Sequence, residues 1–377
     1  MKLLTSNQKS RGWFGIAIGD SYGAGPEMKS HEHIISDEYF NTLDRGYILR
    51  DPEHGIGAKA GDYTDDFEMS IGVWKALNEN EELTLNTLCK CWNKVYQENK
   101  KAKGGIARSG YGSWKNVAEA NDTEMVNIWK DQRIRQATKS PGNAPNMRQF
   151  PIVMYSKNKA QLYRNTIKNV LASHPHPLAI ISCISLAAAN YYLIYENGAP
   201  VSVIVYVIEE LCNLVEELQN TTILRDDEVY GKLHFQTQQE TFKYFIEKLR
   251  KIELLPEVKD VKCEMVNFDL LAGMHTSGGS EDGKISFAKP LNGGTGLSAK
   301  AEQTSYSALF FLKWSGNASI YDNLKRTICF GGDTDSLACI VLPTLMVTRD
   351  LDKSLIEIFP SWVIEDLEAF DFLQRFT

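Results

Sequence analysis

Apolar residues recur every three or four positions along most of the chain, which is the spacing of one buried helix face. Ile71, Trp74 and Leu77 share such a face. Alternating patterns bounded by hairpin turns, which would predict strands, are scarce. The pattern therefore predicts an all-α protein with helical segments at residues 11–19, 67–77, 83–99, 162–171, 178–195, 201–218, 240–251, 301–312 and 354–376.

Three irregular stretches, rich in glycine or in turn-forming residues, separate these segments, at residues 20–64, 100–150 and 273–300. Loops of this length in a compact domain are usually functional or disordered. The sequence contains no flexible linker and no internal repeat. We therefore expect a compact single domain over residues 1–377, in which the long loops build a site.

Composition narrows the class of protein. The 377 residues are 43% hydrophobic and 24% charged, as in ordinary globular proteins. The net charge of −7 makes a nucleic-acid partner unlikely, because no overall basic field exists. The seven cysteines form no CxxC pair, which argues against a zinc or disulfide framework. The N-terminus has no signal-peptide core, and the longest apolar stretch, 178–193, falls short of the roughly 20 residues that span a bilayer. The sequence predicts a cytoplasmic protein without membrane contact.

Two short acidic clusters each stand directly before an apolar run. They read Thr64-Asp65-Asp66 and Gly331-Gly332-Asp333-Thr334-Asp335-Ser336. Each cluster would place two carboxylates and a hydroxyl at a helix N-terminus, where free N–H groups and the helix dipole favour ionised Asp. A lone Asp there is usually a cap, but a cap needs one side chain and adjacent carboxylates repel each other. The pair of clusters therefore predicts an oxygen-rich site for Mg²⁺ or Mn²⁺.

Three further elements give weaker signals when each is taken alone. Gly19 and Gly23 fit a helix exit and a tight turn, after which Glu27 emerges in a loop. A lone loop glutamate is usually exposed to solvent. Residues 173–177, Ser-His-Pro-His-Pro, open the helix that follows, and each histidine there is as consistent with packing as with a site. The turn-rich loop 140–148 offers backbone amides that could hold phosphate oxygens.

These five elements, in this order, resemble the ADP-ribosylglycohydrolase family over about residues 12–376. The resemblance implies a compact all-α fold with two Mg²⁺ or Mn²⁺ ions at the bottom of a cleft. It also implies a metal-dependent hydrolase that removes ADP-ribose from a modified acceptor. The metal ligands that it implies are Thr64, Asp65, Asp66, Asp333, Asp335 and Ser336.

The resemblance also implies roles in catalysis and substrate binding. Catalysis would involve Glu27, Asp65 and Asp335. The groove for ADP-ribose would be lined by Gly112, Ser140, Asn143 and His174. Where the family usually has Thr, a polar residue and Gly, this chain has Ser336, Phe67 and Ala144. These departures keep the metal ligands but leave the shape of the pocket open.

The substrate is less closely determined than the reaction. Prevalence in the family favours arginine-linked ADP-ribose on a protein, with serine-linked and nucleic-acid-linked forms as other substrates. An alternative from a different class is an immunity protein that binds an ADP-ribosylating toxin, using the loops at 28–60 and 273–300. The complete set of Asp ligands argues against a purely non-catalytic role.

Overall fold

The computed structural model describes residues 3–48, 59–80, 82–99, 142–174, 176–218, 235–257, 271 and 296–376. Helix dominates these ranges, and their only β-type pairings are two isolated bridges. The predicted all-α class is confirmed. The helices are α1 (Ser6–Ala24), α2 (His31–Ile34), α3 (Asp37–Phe40), α4 (Asp65–Glu79), α5 (Leu85–Asn99), α6 (Ala144–Met147), α7 (Phe150–Tyr155), α8 (Lys159–Leu171), α9 (Pro177–Asn190), α10 (Val203–Leu218), α11 (Phe235–Glu253), α12 (Ala301–Lys313), α13 (Ile320–Cys329), α14 (Thr334–Thr348), α15 (Leu355–Ile358), α16 (Ser361–Glu365) and α17 (Phe370–Leu373).

The predicted helical segments are confirmed except at the C-terminus. There the single segment 354–376 is wrong, because α15, α16, α17 and a final 3₁₀ turn (Gln374–Phe376) replace it. Pro360 explains the first break: it has no N–H to donate, and the residue before it, Phe359, is extended at φ −122° and ψ 153°. The periodicity also missed α7, α13 and α14, although the second acidic cluster predicted the helix start of α14. Helices α2, α3 and α6 lie in stretches predicted as irregular.

Helices α1 and α14 pack against each other along their lengths. A stripe of glycines on α1 permits this, because an added Cβ on Gly15 would lie 2.5 Å from the Cα of Pro343. An added Cβ on Gly23 would lie 2.4 Å from the Cα of Asp335. The prediction that Gly19 and Gly23 mark a helix exit and a turn is wrong, since both lie inside α1. The stripe sets the first turn of α14 directly against the last turn of α1.

The most apolar helix is α9, which continues through a π-helical turn at Tyr191–Tyr195. The combined stretch Pro177–Tyr195 has 19 residues and a mean hydropathy of 1.7, so it is long and apolar enough to cross a bilayer. The expectation that it falls short is therefore corrected. However, 78% of its most apolar part is buried against the rest of the protein, as in the core helix of a globular protein. It packs on α8, α10 and α12.

An aromatic cluster fastens the C-terminal turns to the start of α4. Phe372 meets Phe67 edge-to-face at 5.6 Å between ring centroids, and Phe376 stacks on Trp13 at 5.1 Å. Such ring pairs add to the stability that burial provides. Through these contacts the C-terminal turns pack on α1 and α4. The cluster also accounts for the aromatic residue at position 67, whose fully buried ring fixes the helix turn next to Asp66.

Candidate metal centre

The N-terminus of α4 carries the first acidic cluster. Thr64 is the N-cap: its hydroxyl accepts a hydrogen bond from the Asp66 amide at 3.4 Å and donates one to Asp66 Oδ2 at 3.2 Å. Asp65 and Asp66 occupy the first turn and are both buried. The cap geometry predicted from the sequence is confirmed, and the cap uses only the hydroxyl of Thr64. The two carboxylates are therefore surplus to capping.

Asp20 supports this turn from α1, although sequence reasoning assigned it no role. Its Oδ2 accepts hydrogen bonds from the backbone amides of Thr64 and Phe67, both at 2.9 Å. The side chain is completely buried. The signal that could have identified it is an acidic residue in the apolar and glycine-rich C-terminal half of α1. Asp20 thus ties α1 to the start of α4.

The N-terminus of α14 carries the second cluster, on a turn made of two glycines. Gly331 and Gly332 have φ angles of +75° and +77°, which residues with a Cβ rarely adopt. A Cβ at position 332 would also lie 2.2 Å from the carbonyl oxygen of Leu297, and one at 331 would lie 2.5 Å from the His31 amide. The glycine pair therefore permits a close backbone approach that a side chain would block. The turn brings Asp333 to the N-cap of α14.

Five buried carboxylates converge between the two helix N-termini. One group is formed by Asp20, Asp66 and Asp335, and a second by Glu27, Asp333 and Asp335. Within each group, one oxygen from every residue lies within 4.8 Å of the others. Glu27 is only 8% exposed, so it departs from the solvent exposure that is usual for a lone loop glutamate. Asp335 belongs to both groups, so the two positions at which a cation could bind adjoin each other.

Burial and mutual repulsion disfavour ionisation of these groups. Burial, reinforced by the neighbouring Asp65, raises the pKa of Asp20 to about 7. Burial and then the charges of nearby carboxylates raise the pKa of Asp66 well above its ordinary value. The pKa of Asp333 is raised by burial and by Glu27. A site that raises the pKa of several carboxylates at once is expected to gain stability from a bound cation.

Two carboxylate oxygens in the centre lack the partner that a bound cation would provide. Asp20 Oδ1 and Asp66 Oδ1 are buried and have no hydrogen-bond partner among the described residues. A buried carboxylate oxygen without a partner is costly, and hard divalent cations bind carboxylate oxygens of this kind. The residues present therefore fit a divalent metal.

Asn143 holds the second cluster in place. Its Nδ2 donates a hydrogen bond to Asp333 Oδ2 at 2.6 Å and a second to Thr304 Oγ1 at 3.0 Å. A hydrogen bond to an ionised carboxylate is stronger than one between neutral groups. The structure thus connects Asn143 to the acidic centre, whereas its contact with substrate stays a prediction.

A model of the ADP-ribosylglycohydrolase family matches residues 7–342. The chain belongs to the ADP-ribosylglycohydrolase family. A solved structure described as "ADP-ribosylglycohydrolase-related protein complex" is similar to 98% of this chain and 95% of its own, with a TM-score of 0.59 and 14% identity. At that identity the likeness shows the fold. A search of curated proteins finds no match. The family assigns the chain to the hydrolases that remove ADP-ribose.

The residues of this ADP-ribosylglycohydrolase that were predicted to line the groove are described only in part. Gly112 and Ser140 lie outside the described residues. His174 is half-buried, and its Nδ1 lies 2.8 Å from Ser173 Oγ. The Nε2 side of the ring faces Gly142, where an added Cβ would lie 2.9 Å from Nε2. The structure therefore places His174 beside the loop that carries Asn143.

Several amides of this loop are already used within the protein. The Asn143 amide donates to the carbonyl of Ala299, and the amides of Asn146 and Met147 both donate to the carbonyl of Asn143. The prediction that backbone amides of this loop hold phosphate oxygens is therefore wrong at these three positions. The side chain of Arg148, at the end of the loop, is completely buried.

Proposed function

We propose that this chain is a metal-dependent ADP-ribosylglycohydrolase that releases ADP-ribose from arginine residues of modified proteins. The observation that carries the metal dependence is the pair of buried carboxylate groups sharing Asp335, with the unpartnered oxygens of Asp20 and Asp66 between the helices. Two ions, Mg²⁺ or Mn²⁺, would be held by Thr64, Asp65, Asp66, Asp333, Asp335 and Ser336. When bound, they supply Lewis acidity that orients the ribose and activates water.

The side chains of the protein supply the remaining chemistry. Breaking the bond at the anomeric carbon develops positive charge there, and a buried, carboxylate-lined site stabilises that charge. Glu27 lies beside Asp333 and Asp335, within reach of the reacting sugar, and is our candidate to accept a proton from water. The hydrogen bond from Asn143 keeps Asp333 oriented during this step.

The choice of arginine as acceptor rests on its prevalence in the family and on charge. A guanidinium group is a cation with planar donors that match carboxylates. In the metal-loaded centre a guanidinium could donate to those carboxylate oxygens that the ions leave free. Serine-linked ADP-ribose lacks this charge and serves as the comparison substrate.

The alternative of a toxin-binding immunity protein stays a prediction. The loops invoked for it are described only at residues 28–48, 59–60 and 296–300, and the rest lies outside the described residues. A function in binding alone gives no reason to bury five mutually repelling carboxylates. The described site therefore supports hydrolysis over a function in toxin binding alone.

The test is release of ADP-ribose from an arginine-ADP-ribosylated protein, with Mg²⁺ and then with EDTA. We expect metal-dependent release that Asp335→Asn lowers by about 100-fold or more, because a shared carboxylate is lost while its shape is kept. The matched control is Asp352→Asn, at an exposed position outside the centre, which should keep full activity. Release that is insensitive to EDTA, or full activity of a folded Asp335→Asn variant, would contradict the proposal. Release from serine-linked protein alone would overturn the arginine assignment.

A further inference from the structure

Arg148 is buried in an unusual way. Its guanidinium has no carboxylate partner among the described residues and lies over the ring of Trp92, 4.2 Å from the ring centroid. Its Nε donates to Asn169 Oδ1 at 2.6 Å, and its Nη2 donates to the Asn169 carbonyl at 2.9 Å and to Ser173 Oγ at 2.5 Å. A buried Arg held by neutral acceptors is rare. Ser173 in turn contacts His174, which was predicted to line the ADP-ribose groove.

The proton positions along this contact follow from which groups can accept. A guanidinium can only donate, so Ser173 Oγ accepts from Arg148. The hydroxyl of Ser173 is buried, and His174 Nδ1, at 2.8 Å, is the one acceptor that the described residues offer its proton. If Nδ1 carried the ring proton instead, the hydroxyl proton would be buried without a partner, which is unfavourable. The chain of donors therefore leaves the imidazole proton on Nε2.

The surroundings of His174 agree with a neutral ring. Burial and the nearby charge of Arg148 lower the pKa of His174 to about 3. The Nε2 edge packs against Gly142, where an added Cβ would clash with the ring at 2.9 Å, so a glycine is required to accommodate the imidazole. Gly142 is followed by Asn143, which holds Asp333. The Nε2 edge thus lies beside the loop from which Asn143 contacts the acidic centre.

We propose that Ser173, oriented by Arg148, is a positioning residue that fixes His174 as an imidazole protonated on Nε2. The ring then offers an N–H donor to a phosphate or hydroxyl oxygen of ADP-ribose. The choice of ligand rests on the proposed function, whereas the position of the proton does not.

The proton position is tested by ¹⁵N NMR of the histidine rings in the full chain, with the His174 signals identified from their loss in His174→Gln. We expect an unprotonated Nδ1 and a protonated Nε2 in the wild type. Ser173→Ala should change this pattern towards a mixture of tautomers, and Ser173→Thr, which keeps the hydroxyl, should preserve it. A protonated Nδ1 in the wild type, or a Ser173→Ala spectrum identical to the wild type, would overturn the proposal.

The chain provides two controls. His176 Nδ1 accepts the Leu178 amide at 3.1 Å, so its ring should keep the Nε2 proton in every variant. Ser156→Ala removes a buried hydroxyl that donates to the Ile152 carbonyl, and it should leave the His174 signals unchanged. A change of the His174 signals in Ser156→Ala would show that they respond to any loss of a buried hydroxyl. It would refute the specific role of Ser173 in positioning His174.

Binding of free ADP-ribose tests the donor role. We expect Ser173→Ala to weaken binding about 3- to 10-fold, the effect of one oriented hydrogen bond. In a His174→Ala background, Ser173→Ala should add nothing, because it acts through the ring. Additive losses would overturn the positioning role. Absence of ADP-ribose binding by the wild type would instead refute the proposed function, and the NMR pattern would still decide the proton position.

Discussion

The two acidic helix N-termini have similar sequences but are supported by different physics. At α4 the support is electrostatic: the Thr64 hydroxyl caps the helix, and the buried carboxylate of Asp20 accepts two of its amides. At α14 the support is steric, because Gly331 and Gly332 adopt left-handed conformations in a space that admits no side chain. The Asp333 carboxylate accepts a hydrogen bond from the neutral amide of Asn143, and its other side-chain partners are Asp335 and Ser336 of the same turn. The acidic motif alone therefore does not determine how each turn responds to a mutation or a change of pH. The contacts that hold the turn in place determine it.

The electrostatic support of α4 is most sensitive to pH. The pKa of Asp20 is about 7 in the native state against an ordinary value of 3.8, so the native state holds this proton where the unfolded chain does not. Stability of the metal-free protein should therefore fall as the pH rises from about 4 to about 7, by roughly 4 kcal/mol from this group. Urea unfolding in EDTA across this range measures it. In Asp20→Asn, which keeps an acceptor oxygen, the part of the loss that comes from Asp20 should disappear, while the part from Asp66 and Asp333 remains. An unchanged pH dependence would contradict the assignment.

The steric support of α14 is broken by a methyl group. Gly332→Ala combines an unfavourable φ of +77° with a clash at the Leu297 carbonyl, and should lower the free energy of unfolding by about 3 kcal/mol. The matched control is Gly316→Ala, where an added Cβ meets nothing within 4 Å. Its effect should be within about 0.5 kcal/mol, as for most surface changes. Equal effects in urea unfolding would show that the close approach does not matter.

The hydrogen bond from Asn143 to Asp333 stabilises the second cluster. Asn143→Ala removes a donor to a buried carboxylate and should cost about 2 kcal/mol of stability without Mg²⁺. Saturating Mg²⁺ should reduce this cost, if the cation helps to hold Asp333 in place. Thermal unfolding with and without Mg²⁺ provides the comparison. A larger loss with Mg²⁺ than without would place Asn143 among the groups that the metal itself requires.

The smallest effect is expected at the cap of α4. Thr64→Ala removes the hydroxyl that accepts the Asp66 amide, and should cost about 1 kcal/mol, the usual loss for an N-cap. Thr64→Ser keeps the hydroxyl and should cost less than half of that. Both are measured by urea unfolding in EDTA. A loss in Thr64→Ser equal to that in Thr64→Ala would mean that the methyl group, and not the cap, provides the stability.

Much of this molecule could be predicted from short-range patterns. The roles of Asp20, Gly19 and Gly23 could not. The clusters at 64–66 and 333–336 were recognisable because capping residues adjoin apolar runs. Asp20 was not assigned a role, because its partners lie on another helix and nothing near it in sequence requires a carboxylate. Gly19 and Gly23 were misread because glycine also ends helices, and only the approach of α14 explains their place inside α1. These failures concern contacts between distant segments, whereas the broken C-terminal helix follows from the local effect of Pro360.

The joining of distant segments at the acidic centre has a kinetic consequence. Asp20 and Asp335 come from nearly opposite ends of the chain, yet their carboxylates lie in one group. Contacts between residues so far apart in sequence generally form late in folding, because a long loop must close first. A bound divalent cation should therefore leave the rate of folding almost unchanged and slow unfolding instead. The ions proposed for the reaction would then also lengthen the lifetime of the native state.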